Sequence, residues 1–189
     1  MSLTNPFGDL PVTDPQAMRA LAHPVRLAIL SYLQREGPAT ATMLAPHVNA
    51  TPSVVSWHLR HLAGFGLVED AEPPSGDRRQ RWWKSLARGF SFELSDDPAA
   101  EMLADQLSAT GQEQVREWTN SIRDSLPPEW LRLSGLSNTR VKVTTDELEA
   151  IADGINELLA PYALRESAPD GARHVRVLRQ YLPYGEDDS

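Results

Sequence analysis

The stretch TPSVVSWHLRHLAGFGLV, residues 51–68, decides the fold, because its apolar and polar residues recur at the spacing of an α-helix. Val55, Leu59 and Leu62 fall on one stripe of this helix, which we expect to be buried. A solvated helix face commonly carries Glu and Lys, but the opposite face here carries groups that suit base edges and phosphates. These are hydroxyls, an aromatic ring, a guanidinium and an imidazole, supplied by Ser53, Ser56, Trp57, Arg60 and His61.

Capping residues upstream of this stretch predict three further helices. Asp14 caps a first helix, Pro24 opens a second that Gly37 ends, and a short third helix spans residues 40–47. Thr51 then caps the helix quoted above. Two helices joined by a short turn, the second with a polar outer face, are typical of the helix-turn-helix, whose second helix enters the major groove of DNA.

After this helix the pattern becomes extended and predicts a two-stranded hairpin with a basic tip. Val68 lies in the first strand, the segment EPPSGD at 72–77 supplies turn residues, and QRWWKSL at 80–86 has strand-favouring aromatics. Trp82 and Trp83 point to opposite faces of a strand, so we expect only one of them in the core. The candidates for phosphate or minor-groove contact in this hairpin are Arg78, Arg79 and Arg81.

The chain is acidic, with a formal net charge of −8, but its charge is unevenly distributed. Residues 1–95 carry 9 Lys and Arg against 8 Asp and Glu, whereas residues 96–189 carry 9 against 18. The hairpin therefore produces a local positive field despite the overall acidity, although a solvated basic hairpin is the alternative interpretation. The run of cations without an intervening acid consists of Arg78, Arg79, Arg81, Lys84 and Arg88.

The acidic half is predicted to be mainly helical with some strand. Long helices begin near Asp97 and near Thr145, and alternating residues at 139–144 and 174–182 predict two strands. We expect this half to extend a dimer interface or to form a pocket for a small-molecule effector. The candidate pocket residues are Trp118, Trp130 and Tyr162, although aromatics at helical spacing more often belong to a core.

Several function classes are disfavoured by what the sequence lacks. There is no Cys, and the five His residues are scattered, so neither a disulfide nor a metal site is expected. We expect His23 to be structural, and His58 to pack or to make a backbone hydrogen bond rather than to contact DNA. No phosphate loop, nucleophile elbow or HExxH motif is present, so we expect no enzyme and no cofactor. With no leader and no apolar run approaching ~20 residues, a cytoplasmic, nucleoid-associated protein without a membrane partner is predicted.

Three segments in this order and spacing resemble the ArsR family of winged-helix transcriptional regulators. They are LAHPVRLAIL at 21–30, VSWHLRHLAGFGLV at 55–68 and GDRRQRWWKSLARGFSF at 76–92, and a weaker resemblance continues through TTDELEAIADGINELLAPY at 144–162. The resemblance implies a homodimer that docks two recognition helices into successive major grooves and lays two wings along the flanking backbone. Without Cys or ligand-spaced His, the chain resembles members that do not sense metals.

The resemblance also implies roles for individual residues. Ser53 and Ser56 are candidates for base or phosphate contact, and Arg60 for a guanine edge or a phosphate. Thr51 is a candidate phosphate ligand as well as a helix cap. Trp57 departs from the polar or basic residue usual at its position, so it contacts a thymine methyl or a sugar, or packs within the dimer.

We therefore predict a mainly α fold with small β (α+β): a winged helix-turn-helix domain at 14–95, a C-terminal dimerisation or effector domain at 96–184, and flexible tails at 1–13 and 185–189. The predicted function is a homodimeric, sequence-specific DNA-binding regulator, most simply a repressor, that binds an inverted repeat in double-stranded DNA. The alternative is a dimeric ligand- or protein-binding module that kept the winged-helix scaffold without DNA binding. The net acidity and Trp57 favour that alternative.

Overall fold

The computed structural model describes residues 7–73, 80–165 and 167–184 and confirms the mainly α fold with small sheets. A winged helix-turn-helix is followed by a helical C-terminal region. Short 3-10 turns lie at Ala45–Val48 and Arg123–Ser125, and a π turn lies at Trp118–Ile122. The regular elements, in chain order, are β1 (Asp9–Pro11), α1 (Pro15–Leu21), α2 (Pro24–Glu36), β2 (Ala39–Thr40), α3 (Ala41–Leu44), α4 (Pro52–Ala63), β3 (Val68–Ala71), β4 (Trp82–Ser85), β5 (Gly89–Ser91), α5 (Pro98–Glu117), α6 (Pro128–Leu133) and α7 (Thr145–Ala163).

The predicted helix starts are confirmed by side chains that accept hydrogen bonds from otherwise unpaired backbone N–H groups. Asp14 caps α1 in this way, His23 caps α2 through its ring nitrogen, and Thr51 caps α4. A proline follows each cap, where its fixed φ suits the first helical turn. Gly37 ends α2 with a φ of 86°, a backbone conformation that residues with a Cβ rarely adopt.

The core of the N-terminal part forms where α2 and α4 pack together, with α1 and α3 on either side. The predicted inner stripe of α4 is confirmed, because Val55, Leu59 and Leu62 are fully buried. From α2, Ile29 and Leu33 enter the same cluster. The burial of three large side chains on one stripe of a twelve-residue helix leaves the opposite stripe facing water.

The hairpin joins this core through a three-stranded antiparallel sheet in the order β2-β4-β3. Trp83 pairs with Ala39 on one side and with Asp70 on the other. Its side chain is 2% exposed, whereas that of Trp82 is half-buried, so the prediction that only one of them enters the core is confirmed. The sheet thereby ties the wing to the same cluster that holds α4.

Part of the predicted N-terminal tail belongs to the fold, so the assignment of residues 1–13 to a flexible tail is wrong for residues 7–13. In this segment β1 pairs in parallel with β5, with Leu10 opposite Phe90, and Val12 is buried. The segment has too few apolar residues to show a strand pattern. Its partner strand lies about eighty positions further along the chain, so no local signal indicated the pairing. Residues 1–6 and 185–189 lie outside the described residues.

The core also crosses the predicted domain boundary between residues 95 and 96. The first turns of α5 pack against α1, and Ala99, Ala100 and Leu103 are fully buried in the common cluster. Asp97, which caps α5, lies 3.9 Å from the guanidinium of Arg19 on α1. The helical C-terminal region is therefore joined to the winged helix by apolar packing at its start.

The two strands predicted in the C-terminal half are wrong. Residues 139–144 and 174–182 have no strand partner among the described residues, and apart from Arg179 and Tyr181 they are exposed. Alternating residues predict a strand only where a neighbouring strand supplies its hydrogen bonds, and none is adjacent here. The helix predicted between these segments is confirmed as α7, which begins with a reciprocal capping box between Thr144 and Glu147.

The contrast between the two adjacent tryptophans predicts unequal effects on stability. We expect Trp83→Ala to lower the free energy of unfolding by roughly 3–5 kcal/mol, because it leaves a cavity in the core. Trp82→Ala is the matched control and should lower it clearly less, since its ring is already partly hydrated. Urea unfolding followed by far-UV circular dichroism measures both. Equal losses would contradict the assignment of Trp83 to the core.

Candidate nucleic-acid interface

The outer face of α4 divides into two flanks of different chemistry. At about 3.6 residues per turn, Ser56 and Arg60 lie along one flank, and Val54, Trp57 and His61 lie along the other. Ser53 lies between the two flanks and is exposed. No Asp or Glu occurs in the helix. Both flanks lie opposite the buried stripe, so they can contact a partner without disturbing the core.

The polar flank is held in place by a hydrogen bond along the helix. The guanidinium of Arg60 donates through Nη2 to the hydroxyl of Ser56 at 3.0 Å, between residues one turn apart. Arg60 is exposed, so its other N–H groups remain directed to solvent. At the helix N-terminus, the hydroxyl oxygen of Thr51 accepts from the backbone N–H of Val54 at 3.4 Å and keeps its own hydrogen to donate. The candidate polar residues are thus adjacent on one surface.

The apolar flank is built from stacked rings. The indole of Trp57 stacks on the imidazole of His61, with ring centroids 5.5 Å apart and an interplanar angle of 11°. Its other neighbour, His58, meets it edge to face at 4.9 Å. Even so, 55% of Trp57 and 45% of Val54 are exposed. The described chain therefore does not bury Trp57 in its own core.

Beneath this face lies a polar cluster that the sequence pattern did not predict. The ring of His58 is buried, lies 4.9 Å from that of His23, and its Nδ1 has no hydrogen-bond partner among the described residues. Arg26 is also buried and donates to the backbone carbonyls of Arg19 and Ala20 at the end of α1. The predictions that His23 is structural and that His58 packs are confirmed. The one feature of the sequence that could have indicated this cluster is Arg26, a charged residue among the buried apolar residues of α2.

Burial and neighbouring cations lower the pKa of the histidines in this cluster. Desolvation is the largest cause of the lowered pKa of His58, followed by the charges of His23, Arg26 and His61. The pKa of His23 is lowered first by burial and then by Arg26. Burial, followed by Arg26, also lowers the pKa of His61. The neutral imidazoles are therefore the forms that suit the interface between α2 and α4.

The described cations of the wing are each engaged with a partner. Arg81 forms a bidentate pair with Asp70 across the hairpin, and its guanidinium lies 4.0 Å from the centre of the Trp83 ring. Lys84 lies 3.1 Å from the carboxylate of Glu69. Arg88 donates at 2.5 Å to the backbone carbonyl of Ala163, at the end of α7. The positive field expected from the sequence is therefore partly offset within the wing.

Two of the predicted wing residues, Arg78 and Arg79, lie outside the described residues. The aromatics of the candidate effector pocket are described. Trp118 and Trp130 are half-buried and Tyr162 is 66% exposed, and no ring contact between described residues joins any two of them. Tyr162 instead lies 4.9 Å from the guanidinium of Arg165.

Across residues 7–73, 80–165 and 167–184, no three His, Asp or Glu side chains are grouped so that they could hold a metal ion. Over the same ranges, no helix has both the length and the apolar content needed to cross a membrane.

Comparison with known proteins finds similarity to a family model in the N-terminal part. A family model described as a helix-turn-helix domain matches residues 21–71, which contain α2, α3 and α4. No curated protein matches the chain in sequence. Among solved structures, a mutant of ZitR from Lactococcus lactis in its apo form is similar at 17% identity, with 75% of this chain and 83% of that chain covered and a TM-score of 0.34. A MarR family regulator from Neisseria meningitidis is similar at 20% identity, with 73% and 79% covered and a TM-score of 0.31.

The buried histidines predict that stability falls in mild acid. Above about pH 6.5, His58 is neutral in both the folded and the unfolded chain. As the pH falls below that value, the unfolded chain binds a proton before the folded chain does, so stability decreases until the lowered folded-state pKa is passed. We expect the free energy of unfolding of His58→Gln to depend less on pH than that of the wild type over this window.

The measurement is urea unfolding at a series of pH values between about 5 and 8. His174→Gln is the matched control, because His174 is exposed and distant in sequence from the cluster. It should retain the pH dependence of the wild type. If His58→Gln retained it as well, burial of a neutral His58 would not be its source.

Proposed function

We propose that this protein is a homodimeric, sequence-specific DNA-binding transcriptional regulator that acts as a repressor. The proposal rests on the contrast between the buried inner stripe of α4 and its exposed outer face. Its inner stripe is fully buried, and its outer face, free of acids, presents Ser53, Trp57 and Arg60 to solvent. In a helix-turn-helix such a face enters the major groove, where side chains read the donor and acceptor pattern of the bases.

The acidity of the chain is compatible with DNA binding because most of it lies outside the winged helix. Residues 96–189 carry 18 Asp and Glu, whereas residues 1–95 carry 8. The N-terminus of α4 adds the positive end of a helix dipole close to Thr51, which favours a phosphate there. Local charge at the contacting face decides attraction to DNA when the two partners are close, since distant charges are screened by salt.

Exposed apolar side chains in the C-terminal half support a dimer. A single copy of the chain leaves them in water, and a second copy packed on the same half would cover them. A two-fold dimer presents two α4 helices related by symmetry, so its operator is an inverted repeat. The most exposed of these side chains are Leu133, Leu136, Leu158, Leu182 and Val175.

In this proposal the regulator represses by occupying DNA that the polymerase needs. Relief of repression by a small molecule requires only that the ligand prefer one of two dimer shapes. The candidate residues for such a ligand stay Trp118, Trp130 and Tyr162 in the C-terminal half. We also propose that the protein belongs to the ArsR family, because the three sequence segments described above resemble that family.

A second candidate is a dimeric binding module without DNA binding. The ion pairs of Arg81 with Asp70 and of Lys84 with Glu69 favour it, because they offset wing cations that would otherwise attract phosphates. Exposed ion pairs are weak, at roughly 0–1 kcal/mol, so a phosphate can compete for either cation. The two candidates therefore make different predictions, because only the regulator would bind particular DNA duplexes in preference to others.

Selection of duplexes from a random pool by the full-length protein tests the proposed function. We expect enrichment of an inverted repeat whose two halves are about one helical turn apart. With Arg60→Ala, the preference at one base pair should weaken by about 1–3 kcal/mol if Arg60 is bidentate to guanine. A uniform loss across sequences would mark a phosphate contact instead. The absence of enrichment even at low salt would favour the second candidate.

The wing ion pair predicts that an acidic residue limits DNA affinity. We expect Asp70→Asn to tighten binding and to steepen the slope of log affinity against log salt by about one unit, because the freed Arg81 neutralises one more phosphate. Fluorescence anisotropy of the selected duplex at several salt concentrations measures both. Asp124→Asn is the matched control, since Asp124 also pairs with an arginine but lies in the C-terminal half.

An equal slope for the two variants would contradict a role for Arg81 at the phosphates. Each wing arginine that contacts a phosphate should in turn lower the slope by about one unit when it is replaced with alanine. If both Arg79→Ala and Arg81→Ala left affinity and slope unchanged, the wing would not be a phosphate-binding element.

A further inference from the structure

The apolar flank of α4 is exposed where a helix of an isolated protein usually carries polar residues. Val54 and Trp57 are 45% and 55% exposed, and they lie three residues apart on the same side of the helix. Both are large apolar groups on a face that otherwise carries hydroxyls and Arg60. Phosphates and most base edges are polar, so DNA binding in general does not specify which group these two apolar side chains contact.

The Trp57 ring is held in one orientation. It stacks on His61, one turn further along α4, and contacts the edge of the buried His58. A ring supported in this way loses little further side-chain freedom on binding, which favours affinity. The surface of the flank is therefore a preformed apolar patch made of Val54 and the free part of the Trp57 indole.

The major groove offers one apolar group to such a patch. Of the base edges displayed there, only thymine carries a methyl group, at C5, beside donors and acceptors that are all polar. The same helix face has no acid and carries Arg60 on its opposite flank, so a DNA duplex suits the face better than an apolar protein surface does.

We propose that Val54 and Trp57 contact the C5-methyl groups of thymines, so that each half of the operator contains at least one thymine read through its methyl. The inference rests on the proposed function and adds its base specificity. Arg60 lies on the opposite flank of the same face, so the polar contact and the methyl contacts fall on neighbouring base pairs.

The test replaces each thymine of the selected duplex, one at a time, with deoxyuridine, which lacks only the methyl. We expect the wild-type protein to lose about three- to fivefold in affinity at the contacted positions, as burial of one methyl-sized group predicts. Trp57→Ala and Val54→Ala should each bind thymine and deoxyuridine equally at one of those positions. Anisotropy titrations with the full-length dimer measure every combination.

Leu94→Ala is the matched control, because Leu94 is an exposed apolar side chain outside both α4 and the C-terminal half. It should discriminate between thymine and deoxyuridine as the wild type does. Trp57 and Val54 are exposed, so their variants should fold, and thermal unfolding by circular dichroism verifies this.

Three outcomes would overturn the inference. If every deoxyuridine duplex bound as tightly as its thymine parent, the methyls would not be read, while the selected inverted repeat would still uphold the proposed function. If Trp57→Ala shifted the protein to a monomer in sedimentation and left the discrimination intact, the patch would belong to an interface between copies. If selection enriched no duplex at all, both the inference and the proposed function would fail.

Discussion

The burial of one stripe of α4 is the constraint on which the rest of the structure depends. Val55, Leu59 and Leu62 are fully buried against the core that α2 organises, so α4 cannot rotate without exposing three large apolar side chains to water. This fixes which residues face outward and in which order around the helix. Trp83 enters the same cluster from β4, and the position of the wing beside α4 follows from the same packing.

The electrostatics of the interface are set locally rather than by the net charge. Beneath α4, His58 and Arg26 are buried near His23, and the low pKa of the histidines keeps the imidazoles neutral where a second cation would be costly. On the wing, Arg81 and Lys84 have carboxylate partners across the hairpin. The interface between α2 and α4 therefore disfavours additional charge. The wing cations, in contrast, form weak ion pairs that a phosphate can replace.

Features encoded by neighbouring residues were predictable. The caps Asp14 and Thr51 and the helix-opening Pro24 located three helix starts, and the 3.6-residue period of residues 51–68 separated the inner from the outer face of α4. The alternation at 82–83 predicted that only one of the two tryptophans enters the core, and the structure shows that it is Trp83. Alternation at 139–144 gave a wrong strand, because a strand requires a partner and the local sequence carries no information about one. The candidate contact residues on α4 share one face, but their binding roles stay predictions.

The sequence by itself determined the helix starts, the buried stripe of α4 and the chemistry of its outer face, because caps and helical periods act within a few residues along the chain. Only the tertiary structure decided the pairing of β1 with β5, the packing of α5 on α1, the ring contact between His23 and His58, and the partners of the wing cations. Each of these joins residues distant in the chain or on different elements. Such contacts depend on how the whole chain closes around its apolar core, which no local pattern specifies.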